Sequence, residues 1–334
     1  AVCEERYPPD SEECQYVQEL EQKAEQGDES AQFALGSWYA EGRYVKPDYK
    51  LAIKWLEKAG KQGSDFSYFI LGYHYNYGEN FPLSRQKALE WYRKAAELGD
   101  SSTQEILGDA YMYGDGFPQN TQLALEWYRR AAAQGLAEAQ DAIGVMFMQG
   151  EGVSQDYQQA LAWYRKAARQ GLPAAQTHLG IMSAFGRGVA QSDRQAIAWY
   201  RKAAKQDFAK AQYQLGVAYS TGRGVPENSR NALKWYLKAA EQGFTPAQLA
   251  LGEIYAHGRQ GVPKDNKQAY IWYYMASIYT EKSKDDCSAL IAERNRLKGT
   301  LTPDQLSETY AAFDLIRRKI NQSKEAKKIA RKKY

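Results

Sequence analysis

A pattern that returns every 36 residues constrains this chain more than any other feature. A hydrophobic residue followed by Gly occurs seven times at this spacing, and a Trp follows each pair about twenty residues later. A fixed period of this length is typical of stacked helical repeats, in which each unit packs on its neighbours. The pairs begin at Leu35, Leu71, Leu107, Ile143, Leu179, Leu215 and Leu251, and the Trp residues are Trp55, Trp91, Trp127, Trp163, Trp199, Trp235 and Trp272.

Each unit has the signals of two helices. The first helix contains the hydrophobic-Gly pair and is expected to end at a second Gly, as at Gly42 and Gly78. A Gly inside a helix costs about 1 kcal/mol relative to Ala, so seven of them predict close helix contacts. The second helix should begin at a residue whose side chain caps it: Asp48, Ser84, Asn120, Asp156, Ser192, Asn228 and Asp265.

The segments on either side of the repeats complete the predicted fold. Residues 1–13 are expected to be irregular, and 14–281 to form the repeat array, beginning with a capping helix. Residues 282–322 should form two C-terminal capping helices, the first over 285–298, and 323–334 a basic tail. The fold class is therefore all-α, a right-handed superhelical solenoid of seven helix-turn-helix repeats with capping helices at both ends.

The repeat motif closely resembles the Sel1-like repeat, a branch of the tetratricopeptide-like solenoids. The sixth unit shows the motif most fully, with Ala211-Gln212, Leu215-Gly216, Tyr219, Gly222, Gly224-Val225, Ala232-Leu233, Trp235-Tyr236, Ala239-Ala240 and Gly243. The resemblance covers roughly residues 14–281. It implies a non-catalytic scaffold or adaptor that binds another protein, often in the bacterial periplasm or at the eukaryotic endoplasmic reticulum. An immunity protein that neutralises a secreted toxic effector is one specific version, and an envelope or signalling adaptor is equally compatible.

The same resemblance implies where a partner protein would bind. In such arrays the first helix of each repeat lines the concave face, and its variable positions contact the ligand. We locate these positions in each repeat by counting from its hydrophobic-Gly pair. In the second and third repeats they bring several aromatic and acidic residues side by side. The predicted partner-binding residues are Phe33, Phe66, Phe69, Tyr73, Asn76, Tyr77, Glu105, Asp109, Met112, Tyr113, Asp141 and Met148.

The residues do not predict a catalytic, cofactor-binding or metal site. Phosphate-binding, zinc and nucleophile motifs are missing from the sequence. The three histidines, His74, His178 and His257, occupy different repeat positions. A cysteine-rich branch of the family is linked to β-lactam binding, but repeats 1–6 contain no cysteine. An enzyme or β-lactam-binding protein stays an alternative. The recurring Trp residues are interpreted as part of the hydrophobic core and not as a ligand-binding site.

Basic residues are concentrated at the C-terminus. Residues 319–334 contain seven Lys or Arg and one Glu, although the whole chain has a net charge of only +4. A nucleic-acid partner is therefore not expected, and the alternative is membrane-surface binding through the tail. The sequence has no apolar run of the roughly 18 residues needed to span a membrane.

Cysteine usage favours export. Cys3 and Cys14 flank Pro8-Pro9 and are close enough in sequence to form a disulfide, which leaves Cys287 over. Ala1 suits signal-peptide cleavage, although a chain trimmed from a longer one would look the same. A periplasmic or secreted location is expected, and a cytoplasmic one stays open.

Overall fold

The fold is entirely helical in the residues that the computed structural model describes, which are 3, 7–280 and 287–332. These residues contain no strand, and one isolated bridge joins Arg259 and Val262. In chain order the helices are α1 Glu12–Glu25, α2 Glu29–Glu41, α3 Tyr49–Lys61, α4 Asp65–Tyr77, α5 Arg85–Glu97, α6 Ser101–Tyr113, α7 Thr121–Ala133, α8 Ala137–Gln149, α9 Tyr157–Arg169, α10 Pro173–Phe185, α11 Asp193–Ala204, α12 Ala209–Thr221, α13 Ser229–Ala240, α14 Thr245–His257, α15 Asn266–Thr280, α16 Ser288–Lys298 and α17 Pro303–Lys332. The predicted all-α solenoid of seven helix-turn-helix repeats is confirmed.

Helices α2 to α15 form the seven pairs. We call the first helix of each pair an A helix and the second a B helix. The two pack together, as α2 does on α3 and α4 on α5. Gly144 shows why the paired helices need Gly, because a Cβ there would lie 2.6 Å from Tyr164 Cδ1. The expectation of close contact at the mid-helix glycines is confirmed.

The helix ends follow the predicted capping pattern. Asn120 Oδ1, for example, accepts a hydrogen bond from the Leu123 backbone N–H at 3.0 Å. A bond of this kind satisfies an N–H that has no partner within the helix. Side-chain capping is confirmed at all seven predicted positions: Asp48, Ser84, Asn120, Asp156, Ser192, Asn228 and Asp265.

The chain divides into two compact units, and the first comprises residues Ala1–Ala167. It holds α1 and the first four repeats, up to most of α9. Helix α1 packs on α2 and buries Val17 and Ala24. A disulfide joins Cys3 to Cys14, with an S–S distance of 1.98 Å and a Cα–Cα distance of 5.2 Å, and both cysteines are fully buried. Residues 1, 2 and 4–6 of the predicted irregular start lie outside the described residues.

The second unit comprises residues Ala168–Tyr334 and ends in α16 and α17. Both helices contact α15, and Phe313 on α17 stacks on Tyr274 with ring centroids 4.1 Å apart. The tail predicted from residue 323 is part of α17, where Lys327 Nζ donates to Gln242 Oε1 at 2.9 Å. Three parts of the predicted C-terminal segment lie outside the described residues. They are the boundary at 281/282, the first two residues of the helix predicted over 285–298, and residues 333–334.

The buried aromatic position of the B helices is one residue later than predicted. Tyr128 and Tyr164 are each only 1% exposed, because they lie against the glycines of the A helices. Trp163 is half-buried, with Lys166 Nζ 4.2 Å from its ring centroid. A residue one position earlier is turned by about 100° around the helix, so Trp163 faces the edge of the interface. The interpretation of the Trp positions as core therefore holds in part. Trp55 and Trp272 are buried, whereas Trp91, Trp127, Trp163 and Trp235 are partly buried and pack against the edge of the core.

None of the helices in the described part of the chain is both long and apolar enough to cross a membrane.

Candidate protein-binding site

The candidate site lies on the A helices of unit 1, namely α2, α4, α6 and α8. These helices bury their hydrophobic-Gly pairs, such as Leu71 and Gly72, against the B helices. Helix α2 also contacts α4, the A helix of the next repeat. Positions of α2 and α4 that do not face a B helix therefore form a surface that spans the first two repeats.

Five aromatic side chains run along this surface on α2 and α4, and we call them the aromatic stripe: Phe33, Phe66, Phe69, Tyr73 and Tyr77. Ring centroids lie 5.7 Å apart between Phe33 and Phe66, and again 5.7 Å apart between Phe66 and Phe69. The run continues from Phe69 to Tyr73 at 6.4 Å and from Tyr73 to Tyr77 at 4.6 Å. The structure thus brings together five of the twelve predicted residues in one line of ring contacts.

The stripe is exposed at some positions and held by packing at others. Phe66 is 55% exposed and Tyr77 is 44% exposed, which is high for large aromatic side chains. Phe33, Phe69 and Tyr73 are half-buried. Phe69 also touches Tyr92 of helix α5, with ring centroids 5.8 Å apart. The half-buried rings anchor the stripe to the repeat core and leave the outer rings open to solvent.

Acidic side chains follow the stripe on α6 and α8. Asp109 Oδ1 accepts a hydrogen bond from the Tyr128 hydroxyl at 2.6 Å. Burial, and then the charge of Asp109 and this hydrogen bond, raises the pKa of Tyr128. In the next repeat, burial and then the charge of Asp141 raise the pKa of Tyr164. Both carboxylates are half-buried. The Tyr128 hydroxyl thus positions Asp109.

The remaining predicted residues are placed differently. Asn76 Oδ1 accepts from Arg85 Nη1 at 3.0 Å, and Arg85 Nε donates to Asp115 Oδ2 at 2.9 Å, so Asn76 belongs to a link between two repeats. Tyr113 is 73% exposed at the end of α6. Glu105 and Met148 are half-buried.

The prediction for Met112 needs correction. Its side chain is 5% exposed and lies in a buried cluster that includes Ala124 and Ile143. Met112 follows directly after Tyr111, and both side chains turn towards the adjoining helices instead of the open surface. Met112 is therefore a packing residue, and it is not available to a partner in this arrangement.

The sequence interpretation did not identify Tyr92, which contacts Phe69, or Tyr128, which donates a hydrogen bond to Asp109. The available signal was a Tyr directly after the Trp in six consecutive repeats, from Tyr92 to Tyr273. No group of three or more His, Cys, Asp or Glu side chains suited to a metal ion occurs within residues 3, 7–280 and 287–332.

Similar proteins share this architecture. The sequence profile of the Sel1 repeat matches seven consecutive segments, residues 29–64, 66–100, 101–136, 137–172, 173–208, 209–244 and 245–277. The solved structure of a Sel1 repeat protein from Oxalobacter formigenes is 34% identical with a TM-score of 0.69, over 83% of this chain and 79% of that one. A comparison with curated proteins finds no match.

A second solved structure is longer than this chain. A protective antigen present in uropathogenic Escherichia coli strains is 32% identical with a TM-score of 0.63, over 91% of this chain and 63% of that one. This chain therefore spans less than two thirds of the antigen's length. An immunity protein from Pseudomonas aeruginosa is 23% identical with a TM-score of 0.45, and a likeness that distant concerns the fold alone. The seven matched segments cover most of the sequence, and the chain belongs to the Sel1 repeat family.

Proposed function

We propose that this chain is a non-catalytic scaffold whose partner protein docks on the A helices of unit 1, across the aromatic stripe. Sel1 repeats are of the protein-interaction type, and proteins built from them are generally non-catalytic scaffolds. The observation that carries the proposal is the exposure of Phe66 and Tyr77 within a continuous line of aromatic rings.

The stripe has the properties of an interaction hot spot. Large apolar side chains that stay exposed as a group mark binding surfaces more often than scattered ones do. Aromatic residues, Tyr in particular, supply much of the binding free energy at protein interfaces. Because Phe69 and Tyr73 are half-buried and contact their outer neighbours, the exposed rings lose little conformational freedom when a partner covers them.

The proposal includes an exported location, either periplasmic or secreted. The buried disulfide between Cys3 and Cys14 supports it, because disulfides persist mainly in oxidising compartments. The more specific form of the proposal is an immunity protein that holds a secreted toxic effector on this face. In that form, the partner captured on the stripe is toxic when it is produced without this chain.

Site-specific photocrosslinking tests the proposal in cells that produce the protein. Benzoylphenylalanine replaces Phe66, Tyr77 or Tyr113 on the A helices, and Glu90 or Glu126 on exposed positions of the B helices as matched controls. We expect the same partner protein to be crosslinked from Phe66 and Tyr77 and not from the control positions. Crosslinking only from Glu90 or Glu126 would place the binding surface on the other helices and contradict the proposal.

A further inference from the structure

The loops that follow the A helices differ in charge between the two units. In unit 2 the residue after each C-cap Gly is an arginine: Arg187, Arg223 and Arg259. In unit 1 the equivalent residues are Arg43, Glu79, Asp115 and Glu151. Cations stabilise the C-terminal end of a helix, but the acids at three of these positions in unit 1 show that the fold does not require Arg there. The arginines of unit 2 are therefore candidates for contact with a ligand.

An exposed phenylalanine lies beside two of these arginines. Phe185 is the last residue of α10, and its side chain is 58% exposed. The centroid of its ring is 5.2 Å from Arg187 Cζ and 5.8 Å from Arg223 Cζ. Because Arg223 follows α12, these contacts join two successive repeats of unit 2. We call Phe185, Arg187 and Arg223 the arginine–phenylalanine patch.

The two arginines of the patch differ in how their charge is used. Arg223 Nη2 donates to the Ala184 carbonyl at 3.2 Å and to Asp193 Oδ1 at 3.0 Å, so Arg223 is held in place and its charge is paired. Arg187 forms no ion pair within residues 3, 7–280 and 287–332, and its guanidinium contacts only the uncharged ring of Phe185 there. A ring attracts a cation without neutralising it. The charge of Arg187 therefore has no carboxylate partner in the described part of the chain.

The helices that carry the patch add no negative charge to it. Residues 173–191 and 209–222 include α10 and α12, and they contain no Asp or Glu. Glu227, later in the loop after α12, is exposed, and no ion pair joins it to an arginine of the described patch. Arg259 adds an exposed cation after the next A helix. The patch is therefore an exposed aromatic ring beside an unpaired guanidinium, which an acidic segment would complement.

We propose that the arginine–phenylalanine patch binds a protein segment in which an Asp or Glu lies next to an apolar side chain. The carboxylate pairs with Arg187, because the planar guanidinium matches the two oxygens of a carboxylate. The apolar side chain covers Phe185, which Arg223 holds from the next repeat. Single-stranded nucleic acid fits less well, since it stacks successive bases on several aromatic side chains. The patch belongs to unit 2 and shares no residue with the aromatic stripe, so this inference goes beyond the proposed function and does not rest on it.

A subtractive peptide selection tests the inference on the full chain. A phage-displayed library of random dodecapeptides is first depleted on the variant Phe185→Ser/Arg187→Gln and is then selected on the wild type. The depletion removes peptides that bind elsewhere on the chain, including those that bind the aromatic stripe. The most enriched peptide is synthesised with a fluorescein label, and its affinity is measured by fluorescence anisotropy.

We expect the enriched peptides to carry Asp or Glu next to an aromatic or aliphatic residue. Phe185→Ala and Arg187→Gln should each weaken binding about tenfold. The matched controls are Tyr310→Ala, which removes a ring that is also 58% exposed, and Arg201→Gln, which removes an exposed cation of α11. Each control should change the affinity less than twofold. Higher salt should weaken binding to the wild type more than binding to Arg187→Gln.

Three results would overturn the inference. They are a selection that enriches no peptide after depletion, enriched peptides without Asp or Glu, and peptides that bind Arg187→Gln as tightly as the wild type. Tighter binding of a labelled oligothymidine than of the peptide would also overturn it, in favour of nucleic acid. Circular dichroism melting of each variant confirms that it is folded.

The stripe variant Phe66→Ala/Tyr77→Ala separates this inference from the proposed function. It should bind the selected peptide as tightly as the wild type does. Loss of peptide binding in the stripe variant, with undiminished binding in Phe185→Ala, would place the peptide on the aromatic stripe. That result would support the proposed function and contradict a site at the arginine–phenylalanine patch.

Discussion

The rings of Phe66 and Phe69 stack with centroids 5.7 Å apart and planes 9° apart, although Phe66 is 55% exposed. Phe69 is itself held against Tyr92 of the neighbouring helix. An exposed ring in this setting is positioned by a half-buried one, which is in turn positioned by the repeat core. The exposed ring is therefore held in place in the free protein, as the proposed docking of a partner requires, and we expect Phe66 to add little to the stability of the free protein.

Gly60 and Tyr68 are predicted to be energetically coupled. A Cβ on Gly60 would lie 2.5 Å from Tyr68 Cε1. Gly60→Ala should therefore destabilise the protein by about 1–2 kcal/mol, since overpacking outweighs the better helix propensity of Ala. Urea unfolding of the single variant measures this cost.

The double variant Gly60→Ala/Tyr68→Gln is the matched control. It places at positions 60 and 68 the Ala and Gln that the next repeat has at Ala96 and Gln104. There, Gln104 Nε2 donates to the Ala96 carbonyl at 3.0 Å. Adding Tyr68→Gln should make Gly60→Ala harmless, so the two changes should not be additive. Additive losses of stability would show that the two positions are independent.

Tyr164 and Trp163 should differ in their importance for folding. Tyr164 is 1% exposed against Gly144, so Tyr164→Ala should cost about 3–5 kcal/mol. Trp163 is half-buried beneath Lys166, and Trp163→Ala should cost about half as much. Thermal melting of both variants compares the two. A larger loss for Trp163→Ala would restore the sequence-based interpretation of Trp as the core residue.

Buried tyrosines predict a loss of stability at alkaline pH. Burial, followed by the charge of Glu21, raises the pKa of Tyr39 to about 12. The value in an unfolded chain is about 10. The unfolded chain therefore releases this proton first, and the free energy of unfolding falls as the pH rises from about 10 to 12. Below about pH 10 this stabilisation is fully present.

The urea midpoint measured at several pH values above about 9 checks this dependence. Tyr39→Phe should make the fall shallower, whereas Tyr310→Phe, at a position 58% exposed, should not change it. An unfolding midpoint that stays constant up to about pH 11 would be inconsistent with the raised pKa values.

The cysteines make a prediction about the compartment. If the Cys3–Cys14 disulfide forms in the cell, alkylation of the unreduced protein in denaturant should label Cys287 alone. Mass spectrometry of protein purified under acid quench distinguishes one added group from three. Labelling of all three cysteines would argue for a reducing compartment and against the proposed export.

The periodic sequence was enough to predict the fold because each signal recurs in register. The N-cap residues and mid-helix glycines agree from repeat to repeat, and every predicted cap is observed. The period could not predict towards which side of its helix each side chain points. Trp163 and Tyr164 both recur every 36 residues, and only their contacts show which one faces Gly144.

Links between repeats were also beyond the sequence interpretation. Gln206 Nε2 donates both to the Gly171 carbonyl at 2.9 Å and to Gln176 Oε1 at 3.1 Å, so one amide joins two turns of the array. At the candidate site, variability of a position predicted exposure correctly for Phe66 and Tyr77. It failed for Met112, because a variable position can still be buried where the neighbouring helices accommodate it.

Comparing the affinity and the melting temperature of Tyr77→Ala, Tyr73→Ala and Tyr164→Ala tests the central claim most directly, with the crosslinked partner as ligand. Tyr77 is 44% exposed, so Tyr77→Ala should leave the melting temperature nearly unchanged. The same change should lower the affinity for the partner at least tenfold. Tyr73 is half-buried, so its variant should lose both stability and affinity. Tyr164→Ala should mainly lose stability. Undiminished affinity of the folded Tyr77→Ala protein would contradict the assignment of this face to the partner.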